Sequence, residues 1–246
     1  MPQLHVSSAR WNTAQEWEKA HWVRAARRSG WRRVVWPVMR PFVNILGLHT
    51  GEGDDWNSWW ADQFDQYGFL PQTMDNYIEV GCGPFTNTRK ILEGRTVKHI
   101  FLSDPLARTY AKFKDRWLGK HYRQVDILLD DHALEDCPYA SDYFDCVVMI
   151  NVLDHVQDAN LCMQHATRIV KPGGTLIIGQ ELTSADEENQ LMEDPGHPIW
   201  LQREDLDRHL ANFTAVHRKD LKREEGRDPE NHYSTLIFAG RKNAAG

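Results

Sequence analysis

Chemistry in this chain is concentrated first at a glycine turn flanked by two acids. The stretch NYIEVGCGPFTNTRKIL, residues 76–92, sets the apolar run Tyr77, Ile78 and Val80 against Gly81 and Gly83 and then a helical pattern. A strand–glycine–helix turn lets the backbone approach a ligand closely. A triphosphate loop requires G-x-x-x-x-G-K-[ST], whose lysine meets phosphate charge; Gly81 to Arg89 supply neither that spacing nor that lysine. A dinucleotide turn, G-x-G-x-x-G, is met only in part, because Thr86 stands at the third position. Asp104, in HIFLSDPL and 23 residues beyond Gly81, stands where an acid accepts hydrogen bonds from both ribose hydroxyls of a nucleoside. Glu79, two residues before Gly81, repels a pyrophosphate and suits a cationic amino acid moiety. The ligand expected is a phosphate-free nucleoside with positive charge, a description that S-adenosyl-L-methionine fits.

The elements that must position these groups follow from the alternation of short apolar runs with helical patterns after residue 70. Strands are expected at 76–80, 98–103, 122–125, 144–150 and 174–180, and helices at 84–93, 105–118 and 157–170. Pro84 suits a first helical position, where its missing N–H costs nothing. This alternation predicts an α/β fold: a Rossmann-like doubly wound, mostly parallel sheet covered by helices. A helix near 203–211 and strands at 213–218 and 232–240 predict an antiparallel C-terminal pair closing the sheet edge. Residues 1–70 differ in composition and read as a helical N-terminal cap on a domain of residues 71–246. They hold eight of the ten tryptophans, and residues 10–40 carry eight basic against two acidic residues inside a chain of net charge −6.

Composition excludes several classes. A hydrophobic fraction of 41% supports a sizeable core, and the net acidity argues against a general DNA binder. Cys82, Cys137, Cys146 and Cys162 form no C-x-x-C pair, so neither a disulfide framework nor a metal site is expected from them. The twelve histidines show no H-E-x-x-H spacing, and no metal is expected. Without an apolar leader at the start or a run of about 18 apolar residues, the expected location is cytoplasmic.

Four segments in order, IEVGCGPF, LSDPL, EDCPYASDYFDCVVMINVLDHVQD and RIVKPGGTLIIG, resemble the class I S-adenosylmethionine-dependent methyltransferases, over roughly residues 74–181. The resemblance is nearest to the small-molecule branch known as type 11. It implies that Glu79, Gly81, Cys82 and Gly83 face the methionine part, Asp104 the ribose, and Pro105 and Leu106 the adenine. Asn151 and Val152 would meet the cofactor at the end of the fourth strand. No acid matches the usual partner of the adenine amine; Asp131 and His132 are displaced candidates, with Leu134 as an apolar wall. Phe85 stands where many members carry a third glycine.

If the methyl acceptor is a hydroxyl, a base must remove its proton as the new bond forms. Asp154 and His155 after the fourth strand, Glu181 ending the fifth, and His197 in EDPGHPIW are the candidates, with His197 first among them. The [DN]-P-P-[FYW] motif of base-amine methylation is absent, since Asn151-Val152-Leu153-Asp154 stands there. A small-molecule or glycan hydroxyl is the acceptor expected. The stretch VRAARRSGWRRVVWPVMRPFVNILGL (23–48) suits three roles: a lid over the site, a peripheral contact with an anionic membrane face, or a plain helical appendage or homodimer contact. The class rivals are a catalytically silent cofactor-fold protein binding a partner through this segment, and an RNA or protein methyltransferase.

Overall fold

A computed structural model describes residues 4–25, 54–113, 127–183, 195–227, 229 and 234–244. The arginine- and tryptophan-rich stretch therefore lies, from residue 26 on, outside the described residues. Helix α1 covers residues 8–25. It is followed by α2 (Asp54–Gln63), β1 (Thr73–Val80), α3 (Thr88–Ile91), β2 (Thr96–Ser103), α4 (Ala107–Tyr110) and β3 (Ile127–Asp130). Then come β4 (Phe144–Ile150), α5 (Ala159–Ile169), β5 (Val170–Leu182), α6 (Arg203–Leu210), β6 (Phe213–Lys222) and β7 (Ser234–Lys242).

The seven strands form one sheet in the order β3-β2-β1-β4-β5-β7-β6. β1 to β5 are mutually parallel, and β7 runs antiparallel to both β5 and β6. The sheet is thus the expected doubly wound one, with the last strand of the chain inserted between its two neighbours. Order reverses between β1 and β4, which is where ligands settle in such sheets, beyond the carboxyl ends of the strands. Register places Val80 of β1 beside Ser103 of β2 and Met149 of β4, so three strand tips open onto one crevice.

Both faces are covered. On one face, α5 and α6 bury Cys162, Met163, Ala166, Ile169, Leu206 and Leu210 against β4 and β5. The helix α5 begins cleanly because Asp158 Oδ1 accepts the Leu161 amide at 2.9 Å. On the other face, α2 and the turn after it bury Trp60, Phe64, Tyr67 and Leu70 against Tyr77, Val148 and Ile177. These aromatic side chains are therefore part of the sheet core.

Three elements differ from expectation. Helix α3 is one turn starting at Thr88, and Pro84 lies in a turn before it. The cause is Glu79, whose carboxylate binds the Asn87 and Thr88 amides and holds the preceding residues out of a helix. The third strand runs at Ile127–Asp130, and residues 122–125 lie outside the described chain. In the second βα unit α4 is likewise one turn, and 114–118 fall outside the described residues.

The packing of Trp60 sets a tight constraint on β5. A Cβ built on Gly179 would lie 2.7 Å from the Trp60 ring. Gly179→Ala is expected to destabilise the fold by about 1–3 kcal/mol through overpacking, read as a lower urea midpoint at unchanged m-value.

Candidate active site

The crevice at the strand tips is a cavity of about 390 Å³. Of the residues expected to bind cofactor, Gly81, Cys82, Gly83, Asp104, Pro105, Leu106, His132, Leu134, Asn151 and Val152 all line it. Glu79 does not. Its carboxylate is 1% exposed and accepts from Asn87 N at 2.8 Å, Asn87 Nδ2 at 3.2 Å, Thr88 N at 3.0 Å, Thr88 Oγ1 at 2.6 Å and the Thr86 hydroxyl. Burial raises its pKa, and the bonds from Thr86, Thr88 and Asn87 oppose that rise. In place of the expected contact with the methionine part, Glu79 shapes the loop that lines the cavity. Its partners occupy the lone pairs a ligand would use.

The loop itself needs glycine at both places. Gly81 has φ +63°, and a Cβ there would strike the Val152 side chain at 2.5 Å; Gly83 has φ +53° with open space above it. Gly81 N donates to Ser103 O at 2.7 Å, which ties the loop to the tip of β2. Asn57 of α2 holds the far side, donating from Nδ2 to the Phe85 and Thr86 carbonyls at 2.6 and 2.9 Å.

Asp104 faces the cavity from the next loop. Its Oδ2 accepts from Gly83 N at 3.1 Å and its Oδ1 from Leu106 N at 2.7 Å, so one carboxylate aligns two ligand loops. Removal from water pushes its pKa up to about 6. The Leu106 and Gly83 amides pull the other way, nearby Glu18 adds to the rise, and His155 opposes it. Glu18 comes from α1, where it accepts from Trp22 Nε1 and from the Tyr110 hydroxyl. A loop acid that ends a strand was legible in the sequence; a second acid delivered from residue 18 was not.

The displaced candidates at the adenine end separate. Asp131 points outward and pairs with Arg108, so it does not serve the cavity. His132 lines the cavity, its ring bonded to Asp130 and its pKa raised by that partner. Leu134 also lines the cavity.

At the tip of β4 the chain turns through Asn151, at φ +53°, a conformation asparagine tolerates better than most residues. Asn151 Oδ1 accepts from Glu181 N at 3.3 Å. The turn that follows is held by Gln180 of β5, a buried amide inside an apolar strand. Its Oε1 accepts from Val152 N and Leu153 N at 3.2 and 3.0 Å, while its Nε2 donates to Asp154 Oδ1 at 3.1 Å. Gln180 was overlooked in the sequence, although a polar residue within TLIIGQEL is itself a signal.

The catalytic candidates converge. Asp154 is buried behind His155 and His197, both of which line the cavity. Their rings lie 4.4 Å apart between centroids, and His155 Nδ1 meets the Gly196 carbonyl at 3.1 Å. Helix α1 clamps this corner, with Trp11 Nε1 donating to His155 O at 3.2 Å and Arg10 to Pro195 O at 2.8 Å. Glu181 falls out of the set of bases: both its oxygens bind Arg227, at 3.2 and 3.0 Å, and that guanidinium stacks 4.3 Å above the Trp56 ring. With both oxygens bound to that guanidinium, the carboxylate is occupied by its partner.

The lining suits a cationic, phosphate-free nucleoside. Its charged residues are the carboxylates Glu18, Asp104, Glu135 and Glu181, and Arg227 is engaged with Glu181. Gly81, Gly83 and Asp104 would hold the amino acid and ribose parts, and Leu106, His132 and Leu134 the base.

Comparison with known proteins bears on the fold that carries this cavity. The family model described as a methyltransferase domain matches residues 78–178. A highly reducing polyketide synthase of Aspergillus aculeatus is 30% identical over 157 residues, 61% of this chain and 6% of the synthase, so the chain spans a small part of that relative. The N-methyltransferase NodS of Bradyrhizobium japonicum, solved with S-adenosyl-L-homocysteine, superposes with a TM-score of 0.57 at 16% identity, covering 78% of this chain and 87% of that one. Geranyl diphosphate C-methyltransferase of Streptomyces coelicolor gives 0.60 at 12% identity over 75% of each chain.

Two outcomes test the loop and its acid. Glu79→Ala strands buried donors at Thr86, Asn87 and Thr88, and is expected to cost about 3–5 kcal/mol in urea unfolding. It should also weaken cofactor binding, although Glu79 lies outside the cavity. A carboxylate at Asp104 would accept ribose hydroxyls best when ionised, so the cofactor Kd should rise as pH falls through about 6, by up to about tenfold per further pH unit. Titration calorimetry between pH 5 and 8 checks this, and Asp104→Asn should bind weakly with a flat profile.

Proposed function

We propose that this chain, a class I S-adenosylmethionine-dependent methyltransferase by fold and by family model, methylates a hydroxyl group of a small molecule, with a sugar or polysaccharide precursor as the substrate class. The observation that carries this reading is the meeting of His155 and His197, backed by the buried Asp154, at the wall of the cavity that Gly81, Gly83 and Asp104 also line. The cofactor, when bound, supplies an electrophilic methyl group on a sulfonium. Transfer to a neutral hydroxyl then needs a group to take the hydroxyl proton, and imidazole is suited to that near neutral pH.

His197 is the proton acceptor in this reading, and His155 is a second imidazole whose orientation the Gly196 carbonyl fixes. The buried carboxylate of Asp154 stabilises positive charge on either ring. Gln180 holds that carboxylate in place and joins it to the β4 turn. Trp11, Trp17, Trp22, Trp56 and Trp60 line the same space. Indole faces stack on sugar rings and exclude water from them, which supports a glycan-like acceptor. In this reading residues 1–70 act as the cap, α1 roofing the cavity, and residues 71–246 as the methyltransferase domain.

His197→Ala is expected to lower kcat by about 10²–10⁴-fold while the cofactor Kd changes little. Single-turnover transfer from labelled cofactor to a panel of sugar and phenol acceptors provides the measurement. Full kcat in His197→Ala, or transfer confined to amine acceptors, would overturn the hydroxyl reading.

A further inference from the structure

The Asp154–His155–His197 cluster has a spacing that direct proton exchange among its members does not explain. His155 Nε2 lies 3.9 Å from Asp154 Oδ1, and His197 Nε2 lies 3.8 Å from Asp154 Oδ2. Direct N–H···O bonds end near about 3.2 Å. Two donor atoms that share one metal ion, each about 2.0–2.2 Å from it, stand about 3.0–3.5 Å apart. The three ligand atoms all lie within 4.8 Å of one another, so small side-chain rotations bring them onto a common centre.

The surroundings of the cluster are those of a metal site. The Gly196 carbonyl, 3.1 Å from His155 Nδ1, selects the tautomer protonated there and leaves Nε2 as a bare donor toward the centre. Asp154 Oδ1 is held by Gln180 Nε2, and Gln180 is itself anchored by two backbone amides. The two histidine side chains are 27% and 26% exposed and line the cavity, whereas the Asp154 side chain is 10% exposed. An ion there keeps open positions on the side where an acceptor must lie. The sequence hides this arrangement, because His197 is 42 residues beyond His155.

We propose that Asp154, His155 and His197 form a two-histidine, one-carboxylate site for a divalent transition-metal ion such as Zn²⁺ or Co²⁺. Two imidazole donors favour these ions over Mg²⁺ or Ca²⁺, which take oxygen ligands. The functional consequence rests on the hydroxyl-methylation reading above. With an ion bound, the imidazoles are ligands, so the ion takes over the role given to His197 above, and an acceptor hydroxyl on an open position becomes more acidic. Its O–H bond breaks with the proton passing to solvent. The O–C bond forms as the C–S bond breaks, and the sulfur keeps that electron pair.

Untagged full-length protein, stripped with a chelator, is titrated with Co²⁺ while its visible absorption is followed, then with Zn²⁺ in competition. One equivalent of Co²⁺ with ligand-field bands is expected, displaced by Zn²⁺ and unaffected by millimolar Mg²⁺. His155→Ala and His197→Ala should each weaken binding by at least about tenfold, and Gln180→Leu by about 10–100-fold. If an alanine variant does not fold by circular dichroism, the glutamine variant at the same position replaces it. Adenosyl-cofactor binding is measured calorimetrically on the same metal-free sample. Cofactor uptake without any Co²⁺ spectrum overturns the metal site and leaves the methyltransferase reading intact. Co²⁺ affinity unchanged in both histidine variants also overturns it, whereas Co²⁺ uptake without cofactor binding sinks the other reading alone.

Discussion

A carboxylate sealed at the tip of β1 is the constraint on which the cofactor side of the cavity rests. Glu79 is buried where an isolated charge would be costly, and it is kept there by donors from Thr86, Asn87 and Thr88. Those donors belong to the residues that would otherwise begin a helix at Pro84. The loop is therefore pulled down onto the strand end, α3 is delayed to Thr88, and Gly81 to Gly83 remain free to lie along the cavity. Asp104 extends the same logic by one strand, because its two oxygens bind one amide from each of two loops. A pair of acids thus aligns the β1 and β2 tips, and only the second of them looks into the cavity.

The histidine side of the cavity depends on an equivalent device built from a neutral amide. Gln180 projects from β5 under the β4 turn and satisfies two backbone amides with one oxygen while steadying Asp154 with its nitrogen. The turn can leave the sheet abruptly because Asn151 accepts a left-handed backbone. His155 is carried to the cavity wall by that turn, and His197 comes from the segment after β5. Fixed partners on both sides mean that the two imidazoles meet a preformed carboxylate, which is the preorganisation a proton-handling or metal-holding group requires.

The roof joins the two sides. α1 places Glu18 near Asp104 and Trp11 on the His155 carbonyl, so one helix spans from the Asp104 corner to the His155 corner. α2 closes a third wall: Trp60 packs on Gly179, Asn57 binds the loop after Gly83, and Trp56 carries the Arg227–Glu181 pair. Both helices therefore serve the cavity, and α2 is also part of the sheet core. Placing five indoles around an acid-lined cavity yields a surface that is apolar on its ring faces and negative at its polar points.

Much of this was legible from sequence because local physics fixes it. Alternating apolar runs specify parallel strands, a glycine pair specifies a turn without Cβ atoms, and an acid at a strand end sits where a ribose would be held. The positions of Gly81, Gly83 and Asp104 follow from such rules, and so does the antiparallel C-terminal strand, whereas Asn151 and Val152 came from the family resemblance. What sequence misjudged was direction: Glu79 and Asp131 turn away from the cavity, Glu181 is claimed by Arg227, and Pro84 opens no helix. Each depends on partners distant in the chain or on competition for the same hydrogen-bond donors, which no local pattern records. The Asp154–His155–His197 cluster and the reach of Glu18 likewise exist only once the sheet closes, because folding alone brings residues 18, 104, 155 and 197 around one cavity.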